Sequence, residues 1–189
     1  VGLAGIIPAV PLSSLGSPDF RADYGLRYAY VGGAMVGAIS SRAMVKALAD
    51  GGCLGIFGAS GLTPARVEDE IAALAAELKG RPFGSCLIHT PQDPTWEEKV
   101  TEIYLRHQVR VIEASAFMQL TPSLVRYRLS GLEKRPDGTI HAPNRILAKA
   151  SRVELARRYF APPPDKLVKE CLKRGWITQA EADLAPFIP

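Results

Sequence analysis

This sequence offers little material for cross-linking or metal chemistry. Its three cysteines, Cys53, Cys86 and Cys171, are odd in number and widely spaced, which excludes a disulfide framework or a zinc cluster and predicts free, mostly buried thiols. Its three histidines, His89, His107 and His141, have no second ligand at metal-binding spacing, so no metal is expected. No run approaches 18 uninterrupted apolar residues, and the start, VGLAGIIPAVPL, lacks a basic leader and a cleavage pattern. A soluble, cytoplasmic protein with no membrane partner is expected. Net charge is only +4, with lysines and arginines scattered among acids, so no nucleic-acid partner is expected. The chain opens at Val1 without methionine and stops at Pro189 just after a helix, which reads as part of something longer.

An apolar content of 47% over 189 residues suits one domain with a substantial core. Residues 1–26, rich in Pro, Gly and Ser, read as an extended lead-in, and 27–189 as the domain proper. Short apolar runs then end repeatedly in small residues and give way to capped helices: YAYVGGAM, CLGIFGASG, FGSCLIHTP, VIEASAF and RILAKAS. The readings are strands from Tyr24 to Tyr30, Cys53 to Phe57, Pro82 to Ile88, Arg110 to Glu113 and Arg145 to Ala150. Helices are expected after Ser40 or Ser41, after Thr63-Pro64 with Val67, Ile71, Leu74 and Leu78 on one face, after Asp93-Pro94, and after Thr121-Pro122. Ser151 with Glu154, and Thr178 with Glu181, read as capping boxes. A helix is also expected over Asp165 to Arg174.

The regular spacing of strand starts matches successive βα units with functional groups at the strand carboxyl ends. Five units fit, with a helix and a Pro136-Asp137-Gly138 hairpin inserted after the fourth strand. The expected fold is α/β, a partial TIM (β/α)8 barrel. No Gly-x-Gly-x-x-Gly follows the first strand, which disfavours a dinucleotide-binding open sheet.

The strings LGSPDFRADYGLRYAYVGGAMVGAISS, GGCLGIFGASGL, VIEASAFMQLTPSLVRYRLSGL and ILAKASRVELARRYFAPPP are similar to the trans-acting enoyl reductases of polyunsaturated fatty-acid and polyketide synthases, within the flavin-dependent nitronate monooxygenase superfamily. The resemblance runs from about Leu15 to Pro189. It implies the amino-terminal part of a TIM barrel holding FMN, with hydride passing from NAD(P)H to an enoyl thioester on an acyl carrier protein. On that resemblance Gly33, Ala34 and Met35 lie against the flavin, Gly58 and Ala59 help wall it, and Lys149 contacts it. Relatives carry Asn where this chain has Cys86, so that flavin contact is weakened here. Cys86 reads either as a redox thiol or as a small buried hydrophobe.

Glu113, Ser115, Phe117 and His89 are candidate substrate contacts near the barrel mouth. A carboxylate there either binds substrate and handles a proton, or pairs with Lys149 or Arg126. His107 reads as a helix-end residue. Arg126, Arg128, Lys134 and Arg135 form either a basic rim that steers an acidic carrier protein or a solvated surface. The superfamily's histidine follows the next strand, in a Gly-Gly-His segment beyond Pro189, so no catalytic side chain is assigned. The phosphate-binding loops also belong to strands seven and eight, and the chain alone is expected to bind flavin poorly. Two other readings stay open: a nitronate monooxygenase, and a Schiff-base lyase acting through a desolvated Lys149. A truncated, inactive barrel and a homo-oligomer are further options.

Overall fold

The computed structural model describes residue 5 and residues 8–189. Four of its helices start where a short polar side chain precedes proline. Ser17, Thr63, Asp93 and Thr121 each accept the amide of the residue three positions on, and proline supplies the first helical position. These caps open α1 (Pro18–Tyr24), α3 (Pro64–Leu78), α4 (Pro94–Arg106) and α5 (Pro122–Leu129). Ser41 caps α2 (Arg42–Asp50) without proline.

The strands β1 (Val31–Gly32), β2 (Leu54–Phe57), β3 (Gly84–Ile88), β4 (Val111–Ser115) and β7 (Arg145–Ala148) form one parallel sheet in that order. Between β4 and β7 come α5 and the antiparallel pair β5 (Glu133–Lys134) and β6 (Ile140–His141), the hairpin expected there. Then follow α6 (Val153–Tyr159), α7 (Asp165–Lys173) and α8 (Gln179–Leu184). The sheet is curled into a partial TIM barrel, as the sequence predicts. Its curl is visible in one contact: the Ala34 amide after β1 reaches the Glu113 side chain of β4 at 3.2 Å, across two intervening strands that in a flat sheet would each add about 4.8 Å.

Alternation along the strands divides the core. Phe57, Leu87, Ile112 and Ala114 face outward and pack with Val67, Ile71, Leu74, Val100 and Tyr104 of the helices. Leu54, Ile56 and Val111 face inward. A separate cluster joins Val125 and Leu129 of α5 to Val168 and Cys171 of α7 and to Ile188. No helix among the described residues is long and apolar enough to cross a membrane.

Three local expectations need correction. The aromatic run from Tyr24 to Tyr30 is not a strand, because Ser17 and Pro18 nucleate α1, which includes Tyr24 and ends on Gly25 at φ 64°. The lead-in is therefore partly helical, while its residues 1–4, 6 and 7 lie outside the described part. The Ser151 box does not form: the N-cap of α6 is Arg152, which places Glu154 one position too early to reach back to it. The Thr178–Glu181 box forms as expected.

Candidate functional site at the strand carboxyl ends

Because the five strands run parallel, their carboxyl ends open on one side, and inward-facing residues there share a mouth. Glu113 faces inward from β4 and is almost wholly buried. Its Oε1 accepts Lys149 Nζ at 2.6 Å from the end of β7, and the Ala34 amide donates to Oε1 at 3.2 Å and Oε2 at 3.4 Å. The Lys149 side chain is 53% exposed against 6% for Glu113, so the ammonium stands at the lip and the carboxylate beneath it. One carboxylate thus ties together the tips of β1, β4 and β7.

The loop after β1 is fastened from its other side by Ser40. Ser40 Oγ accepts the Met35 amide at 2.8 Å and donates to the Gly33 carbonyl at 3.0 Å. Sequence reasoning read Ser40 only as a possible helix cap, although a Ser40-Ser41 pair needs only one member for that task and leaves the other for a second one. The amides of Ala34 and Met35 are therefore both satisfied within the chain.

Gly33 and Ala34 are half-buried at the mouth and Met35 is exposed on its rim. A Cβ at Gly33 would stand 3.1 Å from Glu113 Oε2. Gly58 and Ala59 lie deeper. A Cβ at Gly58 would fall 1.8 Å from the Met35 carbonyl oxygen, and Ala59 is fully buried in the outer core, so packing explains both small residues.

Cys86 faces inward from β3 at the position paired with Glu113 on β4, with Sγ 3.3 Å from Ser60 Oγ and 3.7 Å from Ser115 Oγ. Burial pushes its thiol pKa up, with the Glu113 charge adding to the effect, which favours the neutral, unreactive form. Cys86 and Cys171 are buried free thiols, and Cys53 is partly exposed.

His89 and Phe117 lie on the outward side of the strand tips, away from Glu113. His89 Nδ1 is 3.2 Å from Glu97 Oε2, its ring lies 5.2 Å from that of Phe117, and Phe117 is buried in the outer core. Thr121 donates to the other Glu97 oxygen. His107 ends α4 and meets Glu68 at 3.3 Å.

The basic residues of the insertion are not a rim beside the mouth. Arg126 pairs with Glu102, and Arg128 bonds the carbonyls of Asn144 and Pro189. Lys134 and Arg135 belong to the hairpin that leads into the start of β7, at the opposite end of the sheet from the mouth. The cations near the mouth are Lys149, Arg152 and Arg158, the last bonding the Met118 carbonyl. A cavity of about 590 Å³ follows the unpaired side of β7, from Arg128 and Arg145 to Lys149 and Glu113.

Two rim loops carry unusual backbone: Ala38 (φ 57°) after β1 and Ala116 (φ 61°) after β4. Left-handed alanine is disfavoured, and such strain gathers at functional loops.

No protein-family model matches the chain. It is 41% identical over 181 residues to the polyketide biosynthesis protein PksE of Bacillus subtilis, covering 95% of this chain and 24% of that protein. It is 39% identical over 188 residues to a polyunsaturated fatty acid synthase component of Thraustochytrium, covering all of this chain and 13% of that protein. The crystal structure of the enoyl reductase domain of MlnA, from the macrolactin cluster of Bacillus amyloliquefaciens, superposes with TM-score 0.89 at 37% identity, over 93% of this chain and 40% of that one. The chain is homologous to the enoyl-reductase-like region of polyketide and polyunsaturated fatty acid synthase proteins. This enoyl-reductase-like segment spans a quarter or less of the curated relatives named above. FabK of Thermotoga maritima, at 15% identity and TM-score 0.50, shares the fold.

Proposed function

We propose that this segment forms one wall of an FMN site in an enoyl reductase, which uses NAD(P)H to reduce enoyl thioesters on an acyl carrier protein during polyketide or polyunsaturated fatty-acid synthesis. The observation that carries the reading is the Lys149–Glu113 pair at the strand ends of a chain 37% identical to a solved enoyl reductase domain.

The residues fit a planar, polar-edged cofactor in part. Gly33 and Ala34 leave room above Glu113, and Lys149 offers a half-exposed cation. The amides of Ala34 and Met35 are already committed, so the main chain there contributes surface rather than donors. Bound flavin supplies the hydride relay between NAD(P)H and the enoyl group. The chain's own residues orient and enclose it: Lys149 places positive charge at its edge, and the fastened loop after β1 keeps that wall fixed. Arg152 and Arg158 provide positive charge near the mouth to steer an acidic carrier protein.

The half-exposed, ion-paired Lys149 argues against a Schiff-base lyase, which needs a desolvated amine. The test supplies FMN, NADPH and a crotonyl thioester on carrier protein to a full-length synthase protein carrying this segment, and follows NADPH loss with mass analysis of the acyl group. Saturated product is expected. Oxygen-dependent consumption of a nitronate, without enoyl reduction, would favour a nitronate monooxygenase instead.

A further inference from the structure

We infer that Glu113 is a positioning residue, which holds the Lys149 ammonium and, through the Ala34 amide, the Gly33–Ala34 backbone at one point of the mouth, so that the cation and that wall meet a ligand in fixed places. The inference rests on the flavin reading above but concerns this chain's own side chains. Three observations support it. Glu113 is buried on the inward face of β4 and accepts from two separate elements, the loop after β1 and the residue after β7. Its buried position leaves Lys149 and the Gly33–Ala34 backbone, rather than its own carboxylate, as the surface nearest a ligand in the mouth. Ser40 fastens the same loop from the opposite side, so the Ala34 amide has no freedom to turn outward.

Chemistry explains why a carboxylate suits this place. A lysine on a flexible four-carbon stem at a barrel lip otherwise samples solvent and loses entropy when it binds. A buried acceptor at 2.6 Å fixes it in advance. Glu113 reaches both donors because β4 pairs directly with β7, which ends at Lys149, while the curl of the sheet brings the loop after β1 across to it.

The test uses the purified chain and two separate readouts. In the first, lysines are acylated with an N-hydroxysuccinimide ester and rates are mapped by mass spectrometry. Exposed Lys99, which has no ion pair among the described residues, serves as the internal reference. Lys149 is expected to react at least about fivefold more slowly than Lys99, and Glu113→Ala to abolish the difference while leaving Lys99 unchanged. Glu113→Asp, which keeps the charge on a shorter arm, is expected to restore part of the protection. Equal rates in the unaltered chain, or no change in Glu113→Ala, would overturn the inference. If Glu113→Ala does not fold, Glu113→Gln carries the same comparison.

In the second readout, FMN fluorescence quenching gives the affinity. Glu113→Ala and Lys149→Met are each expected to weaken it about tenfold, and the double variant no further, because one interaction is lost. Additive losses would show that Glu113 acts independently of Lys149 and would also overturn the inference. Where the unaltered chain binds no measurable FMN, the acylation rates alone decide the positioning role.

Discussion

The Tyr104 hydroxyl donates to the Cys86 carbonyl oxygen at 2.6 Å, locking α4 to the strand whose thiol lies beside Glu113. The same hydroxyl accepts Ser85 Oγ at 2.8 Å, and both bonds are buried. Tyr104→Phe keeps the ring but leaves a buried carbonyl and a buried hydroxyl without these partners. The expected loss is about 1–3 kcal/mol, read as a lower urea midpoint with an unchanged m-value. A loss below about 0.5 kcal/mol would show that neither group depends on the hydroxyl.

Gly58 shows a different dependence, on main-chain clearance. A methyl there would sit 1.8 Å from the Met35 carbonyl oxygen, and backbone gives way less readily than a side-chain tip. Gly58→Ala is expected to cost about 3 kcal/mol and to displace the loop after β1. Gly51→Ala is the control, since Gly51 has φ −76° and a Cβ would lie 3.4 Å from the nearest carbonyl oxygen. It is expected to stay within about 0.5 kcal/mol of the unaltered chain. Similar losses in the two variants would sink the clearance argument.

What was legible in the sequence was what local chemistry decides. The Thr-Pro caps of α3 and α5 and the Asp-Pro cap of α4 mark their starts by supplying an acceptor and a preset φ. The same signature at Ser17-Pro18 also marks α1, yet the aromatic residues after it read as a strand because burial and β-propensity look alike over a short run. At the site, Lys149 and Glu113 were readable as a pair. The inward or outward sense of each strand tip was not, because it depends on register. His89 and Phe117 lie near the inward-facing residues in sequence but belong to the outer layer, where Glu97 and the helices hold them.

The buried thiols and phenols give the fold an alkaline limit. Burial, with the Glu170 charge adding, pushes the Cys171 thiol up to about 11, and burial followed by the Glu97 charge pushes Tyr159 to about 12. Burial also raises Cys86, Tyr104 and Tyr127. A raised folded value means that the unfolded chain releases its proton first as pH climbs. The associated stability is then complete below the unfolded value and is lost as pH rises through the folded one. Unfolding free energy is expected to hold from pH about 7 to 8.5 and to fall above about 9. Cys171→Ala is expected to flatten part of that fall between about 9 and 11, whatever its effect at neutral pH. An unchanged slope would show that Cys171 does not contribute to it.

Thr121 joins two jobs that substitution can separate. Its Oγ1 accepts the Leu124 amide to cap α5 and donates to Glu97, a carboxylate that is 4% exposed and whose other oxygen meets His89. Thr121→Val keeps the shape and removes both bonds, costing a helix cap of about 1 kcal/mol and a charge-assisted bond of about 1.5–3 kcal/mol. Some of the second cost is recovered as Glu97 turns further to His89, so a total near 3 kcal/mol is expected by chemical denaturation. Thr121→Ser restores the hydroxyl without the methyl and is expected to recover most of the loss. If Thr121→Ser were as unstable as Thr121→Val, methyl packing rather than the link between α5 and Glu97 would hold this corner of the barrel together.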